Sequence, residues 1–140
     1  MRDPDLPVDR LAEAYRAWRD TRGMTPDLFL DLMAEGIEMR SVLEPALPSD
    51  LAAHRRSQGE AREYFAVLLR DWEMIDFPQE RIVAEGDTVV WIGRCAWRHR
   101  QTGQEIDTPK VDIWTFRDGR AVRILEMFDS LGFARTAELL

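Results

Sequence analysis

The period of the apolar residues changes near residue 80, and no other feature of the chain constrains its fold as much. Before that point the spacing is helical. Val8, Leu11, Ala12, Tyr15 and Trp18 form one stripe, with Asp9, Arg10, Glu13, Arg16 and Asp20 on the other side. This predicts an amphipathic helix over 8–22, stopped at Gly23. Thr25-Pro26 reads as the N-cap and first position of a short second helix that carries Leu28, Phe29, Leu32 and Met33 inward and ends near Gly36. A strand-like piece over 37–42 follows, then a loop over 43–56 containing Pro45 and Pro48. Ser57-Gln58-Gly59-Glu60 has capping-box spacing, and behind it Ala61, Tyr64, Phe65, Leu68, Leu69 and Trp72 share one helical face.

Beyond residue 80 the period is two. Strand-like runs over 80–84, 88–99, 105–116 and 121–130 are separated by Glu85-Gly86-Asp87, Gln101-Thr102-Gly103-Gln104 and Asp118-Gly119. Short Gly-bearing connectors of this kind predict antiparallel hairpins, and a final helix is expected over 131–139. Helices segregated from strands indicate an α+β domain, a curved antiparallel sheet with helices packed in its concavity. Long strands bend, and the bent sheet leaves a closed-end apolar cone. At 140 residues, without repeat or linker, residues 1–140 are expected to form one domain.

Composition removes several function classes. Asp plus Glu number 26 against 19 Lys plus Arg, a net charge of −7, which argues against a protein that wraps duplex nucleic acid. One Cys excludes a disulfide framework and a Cys-based zinc site, and two separated His, His54 and His99, imply no metal centre. Cys95 reads as a small buried apolar residue, and His54 as solvated surface. The first residues hold no apolar signal region and no run is long enough to span a bilayer, so a cytoplasmic protein is expected. No phosphate loop, nucleophile elbow or dinucleotide fingerprint implies an organic cofactor. Arg94, Arg98 and Arg100 read as a one-sided stripe pairing acidic groups.

The chain resembles the nuclear transport factor two-like superfamily, in particular SnoaL-like polyketide cyclases and ketosteroid isomerase. The carriers are Tyr15-Arg16-Ala17-Trp18, the stretch from Leu32 to Arg40, Gly59 with Tyr64-Phe65, and above all the stretch from Val111 to Val122 followed by Phe128-Asp129-Ser130-Leu131-Gly132-Phe133. The resemblance implies a cone-shaped, cystatin-like α+β barrel. It specifies the reaction poorly, because this fold hosts isomerases, cyclases, dehydratases, epoxide hydrolases and binding domains.

Strand alternation puts Asp112, Trp114 and Phe116 on one face and Val111, Ile113 and Thr115 on the other. The likeness to ketosteroid isomerase selects the Asp112 face as inward. It implies that Asp112 matches a neutral, hydrogen-bond-donating acid and Tyr15 a phenol donor, together an oxyanion hole. The alternatives are an ion pair of Asp112 with a buried Arg, and a core Tyr15 whose hydroxyl is satisfied. Where the isomerases keep an Asp base this chain has Arg40, which cannot abstract a proton and reads as a clamp for an anionic ligand or the counter-ion of interior carboxylates. Ile124, Glu126 and Phe128 alternate onto one face, so Glu126 is a replacement base near Asp112. Two carboxylates beside one Arg are similar in kind to the Asp-Arg-Asp site of the limonene epoxide hydrolase branch; a structural salt-bridge cluster is the other reading. Asp129 stands where SnoaL-like cyclases carry a catalytic Asp, or else caps the last helix. His99 is a proton carrier at the cavity mouth, or a turn residue.

Three function classes follow. The first is an enzyme performing acid/base chemistry on an apolar carbonyl or epoxide ligand, of isomerase, cyclase or hydrolase type. It would use Asp112, Glu126, Tyr15, Arg40, Asp129 and His99, with Trp18, Met33, Trp97, Trp114, Phe116 and Phe128 against the ligand. The second is a non-catalytic domain holding a small apolar or anionic molecule. The third is a homodimer paired through the outer sheet face, where Val111, Ile113, Leu125 and Met127 form an apolar patch.

Overall fold

The computed structural model describes residues 6–44 and 49–140. The opening residues 1–5 and the loop prolines Pro45 and Pro48 lie outside the described residues. Helix α1 (Pro7–Asp20) begins with proline at its first position, where the missing N–H costs nothing. It turns Leu11, Ala14, Tyr15 and Trp18 into the core. Helix α2 (Asp27–Leu32) is shorter than its sequence pattern implies: Pro26 occupies the N-cap without a side-chain bond, and Thr25 instead donates its N–H to Thr21 Oγ1. Strand β1 (Met33–Ser41) starts at once, so Met33 is buried from a strand rather than a helix.

Helix α3 (Gln58–Asp71) is capped by Ser57, whose Oγ accepts the Glu60 N–H at 3.0 Å. The Glu60 carboxylate accepts the Arg56 N–H rather than that of Ser57, so the box closes one residue early. Trp72 leaves the helical stripe and opens a strand absent from the sequence reading, β2 (Trp72–Asp76). Strands β3 (Gln79–Glu85), β4 (Thr88–His99), β5 (Glu105–Arg117) and β6 (Arg120–Met127) follow as hairpin-linked neighbours, and α4 (Ser130–Thr136) comes last. The sheet is a mixed one of six strands. Its order is β1-β6-β5-β4-β2, with β3 also on β4, and only β1–β6 is parallel.

Strand β4 carries both β2 and β3 on one edge: β3 pairs with Thr88–Gly93 and β2 with Ala96–His99. The division falls where Arg94 N–H donates to Pro78 O at 3.0 Å. The fold is thus the expected α+β barrel, a curved sheet with helices against its inner face. Along β4 the side chains of Val89, Trp91, Cys95 and Trp97 point inward, and along β5 those of Thr108, Lys110, Asp112, Trp114 and Phe116 do. Trp91 and Trp114 are almost wholly buried, and truncating a side chain of this size in a close-packed core costs about 3–5 kcal/mol. On the opposite face Arg94 pairs with Asp107, Arg98 with Glu73 and Glu105, and Arg100 with Glu73. Among the described residues no helix is long and apolar enough to cross a membrane.

Candidate active site

The inner faces of β4, β5 and β6, closed over by α1, α2 and α3, surround a narrow cavity of about 70 Å³, room for a handful of waters. Its walls are aromatic, with Trp18, Phe29, Phe65, Phe77, Trp97 and Trp114 among them. One polar cluster interrupts them. Lys110 and Asp112 come from alternate positions of β5, and Glu126 from β6, where it stands opposite Asp112 in register. The three side chains are 8%, 3% and 10% exposed, so their charges meet in a site nearly without water.

Lys110 Nζ donates to Asp112 Oδ1 at 2.5 Å and lies 3.8 Å from Glu126 Oε1. The Tyr15 hydroxyl donates to Asp112 Oδ2 and accepts the Trp114 Nε1–H at 2.9 Å. Tyr64, from α3, donates to Glu126 Oε2 at 2.7 Å. Burial opposes the charged form of Lys110, but Asp112 and Glu126 outweigh it and raise its pKa, so the ammonium keeps its proton. Burial and the neighbouring Asp112 raise Glu126 above the ordinary glutamate value, against the pull of Lys110 and Tyr64. Burial also holds the Tyr15 and Tyr64 phenols well above their ordinary value. Cys95, on the same wall, is pushed by burial up to about 11 and stays a thiol.

Tyr15, Asp112 and Glu126 are therefore brought together, and Trp18, Met33, Trp97, Trp114 and Phe128 line the same cavity. Asp112 takes the ion-pair alternative, with a lysine instead of an arginine. It accepts at both oxygens, whereas the isomerase likeness implied a donor. Arg40 is not part of the site. Ile37 and Met39 turn inward from β1, so the next residue must turn outward, and the Arg40 side chain is 55% exposed against Glu44. Asp129 is exposed and caps α4 through the Gly132 N–H at 2.8 Å. His99 stands edge-on to Trp72 and accepts the Thr102 N–H in its hairpin, outside the cavity wall. Phe116 is buried beyond Trp114, also outside that wall. His54 is half-buried, 3.4 Å from Glu38.

Two side chains of the polar cluster escaped the sequence reading, Lys110 and Tyr64. The signal for Lys110 was available: it is the one lysine among 19 basic residues, every other being arginine, and it precedes Asp112 by the two residues that keep a strand face. Tyr64 stood in the helical stripe and carried no mark of its partner. Among the described residues no group of three His, Cys, Asp or Glu could hold a metal ion.

A family model described as a SnoaL-like domain matches residues 11–124. The chain belongs to the SnoaL-like domain family. Three solved structures place this SnoaL-like chain in the nuclear transport factor two-like fold. An NTF2-like protein of Burkholderia thailandensis is 26% identical with a TM-score of 0.79, over 97% of this chain and 98% of that one. An NTF2-like protein of Burkholderia xenovorans is 21% identical with a TM-score of 0.77, over 98% of each chain. TerC co-crystallised with polyporic acid is 20% identical with a TM-score of 0.76, over 97% of this chain and 99% of that one. No curated protein matches the SnoaL-like chain.

Proposed function

We propose that this SnoaL-like domain is an acid/base enzyme for a small or flat, largely apolar molecule bearing a carbonyl or enol oxygen. The observation that carries the reading is the pairing, in one nearly dry cavity, of a buried carboxyl, Glu126, and a fixed cation, Lys110, 3.8 Å away; burial and the neighbouring Asp112 raise the proton affinity of Glu126. A ligand oxygen seated beside Lys110 meets an ammonium whose attraction is strong because water is scarce. Glu126 then takes a proton from the carbon or hydroxyl next to that oxygen, and the negative charge that develops on the oxygen is held by Lys110. Tyr64 orients the Glu126 carboxyl through Oε2, leaving Oε1 to face the ligand. Asp112 is the counter-ion that keeps the ammonium aimed. The aromatic walls admit a flat body and exclude water, which protects the carbanionic or enolate stage from stray protonation. That TerC, of the same fold, was co-crystallised with polyporic acid supports an organic ligand here.

A carbonyl or enol is preferred to an epoxide because both Asp112 oxygens are already engaged, which leaves Glu126 as the sole carboxyl free to exchange a proton. The test uses β-tetralone, a flat ketone with exchangeable α-protons, in deuterium oxide. Binding is read from quenching of the cavity tryptophans and exchange from proton NMR. Exchange accelerated by the wild type and abolished in Glu126→Gln supports the reading. Binding without acceleration sinks it and leaves a ligand-binding domain, the second function this cavity suits.

The outer face of β5 and β6, with Val111, Ile113, Leu125 and Met127 half-buried in a single chain, suits a homodimer. Sedimentation at micromolar concentration tests this, and a monomer there refutes it.

A further inference from the structure

Tyr15 has no proton left to donate to a ligand. Its one proton goes to Asp112 Oδ2, and a lone pair takes the Trp114 indole proton at 2.9 Å. Its ring is stacked on Trp91, with centroids 4.4 Å apart and planes 9° from parallel, and meets the edge of Phe29 at 4.8 Å. The phenol is 3% exposed, so it has no room to swing toward an incoming molecule. Its influence must pass through Asp112.

Asp112 and Glu126 compete for one cation. They face each other across β5 and β6, and Lys110 stands beside both, yet the ammonium sits at 2.5 Å from one and 3.8 Å from the other. The difference between the two carboxylates lies in their other partners. Asp112 has the immobile Tyr15–Trp114 arm behind it, and Glu126 has Tyr64, which is only half-buried. The charged and titratable groups facing Glu126 are Lys110 and Asp112 from β5, Tyr64 from α3, Tyr15 from α1 and Cys95 from β4. Arg40, from β1, points away.

We propose that Tyr15 and Trp114 are positioning residues: by fixing Asp112 they hold the Lys110 ammonium on that carboxylate and off Glu126, and so decide that Glu126 is the carboxyl that carries the exchangeable proton. The pair shares one cation, and a hydrogen bond donated to one carboxylate strengthens that group's hold on the cation and leaves the other to carry the exchangeable proton. Removing the Tyr15 hydroxyl weakens the hold on Asp112 and lets Lys110 close upon Glu126, which favours the charged form of Glu126. The inference concerns the titration of Glu126 and rests on the functional reading only in naming Glu126 as the proton carrier that matters.

The experiment follows the side-chain carboxyl carbons by NMR through a pH titration of the full chain, with signals assigned from Asp112→Asn and Glu126→Gln. Tyr15→Phe keeps the ring and its stacking; folding is checked by circular dichroism. The expected result is a fall in the Glu126 midpoint by roughly one pH unit, the scale of one hydrogen bond to a charged group. Trp114→Phe is expected to move it in the same direction by less, and decides the question if Tyr15→Phe does not fold. A Glu126 midpoint that stays put or rises overturns the proposal. Because the readout needs no substrate, the positioning role can fail while catalysis stands, and the converse. If turnover falls in Tyr15→Phe with the Glu126 midpoint unmoved, Tyr15 touches the substrate and the proposal is wrong.

Discussion

Lys110 and Asp112 stand two residues apart on β5 and turn to the same side of the sheet, with the ammonium 2.5 Å from the carboxylate and both nearly closed to water. An ion pair this deep recovers its desolvation only through good geometry and further hydrogen bonds. Tyr15 supplies one to Asp112, and the Phe128 ring, 5.6 Å from Nζ, faces the ammonium.

Removing the cation alone leaves two buried carboxyls without it. Lys110→Met is expected to cost about 3–5 kcal/mol, the scale for breaking one side of a buried pair. Adding Asp112→Asn to it is expected to recover part of that loss, because the uncompensated charge leaves with it. Urea denaturation of the two variants and the wild type checks both statements. A Lys110→Met variant as stable as the wild type contradicts the buried ion pair.

The raised pKa of Glu126 has a definite sign in stability. Unfolded, the group titrates near its ordinary value of 4.5; folded, burial and Asp112 lift it, so the folded state binds more protons in between. The stabilisation from this group is fully present below 4.5 and is lost as pH rises through the folded value. Glu126→Gln removes that dependence and should gain on the wild type as pH rises across the window. Asp71 and Asp76, lowered chiefly by their hydrogen bonds from Arg70 and Arg19, work in the opposite direction but equally in both proteins. Urea midpoints of the two proteins in a pH series test the difference; parallel curves refute it.

Asp129 is expected to matter for stability alone. Its Oδ1 takes the Gly132 N–H and its own N–H goes to Thr108 Oγ1, which ties α4 to β5. Asp129→Ala should cost about 1 kcal/mol, a typical N-cap loss. It should leave the NMR midpoint of Glu126 where it was. A shift in that midpoint would return Asp129 to the site.

Alternation is rigid, so the sequence put Asp112 with Trp114 on one face of its strand and Glu126 with Phe128 on one face of the next. The likeness to ketosteroid isomerase chose those faces as inward, and glycine connectors marked the long hairpins. The same rule argued against Arg40 as an interior group, since Ile37 and Met39 already claimed the inward positions of β1. The likeness to isomerases had placed Arg40 inside, whereas its side chain is exposed against Glu44. Strand β2 was hidden because Trp72 continues the stripe of α3 at helical spacing, and Trp72 with Met74 are too few alternating residues to outvote it. Lys110 was missed for a different reason. A lysine beside apolar neighbours reads as surface until its two carboxylate partners are known, and one of them comes from another strand.

The close approach of Pro78 to β4 depends on Gly93. A Cβ built there would lie 2.2 Å from the Pro78 carbonyl oxygen and 2.6 Å from the Trp91 ring, far inside contact distance. Pro78 O also accepts the Arg94 N–H where β3 gives way to β2 along β4. The backbone oxygen cannot retreat without breaking that bond, and Trp91 cannot retreat without disturbing the Tyr15 ring stacked on it. Gly93→Ala is therefore expected to destabilise by about 1–3 kcal/mol, the cost of overpacking a filled site. The strain should also reach the polar cluster, since Trp91 supports Tyr15. Urea unfolding measures the first effect, and the NMR midpoint of Glu126 measures the second, expected to fall as in Tyr15→Phe. A Gly93→Ala protein of unchanged stability would mean that the Pro78–Gly93 approach is looser than this geometry has it.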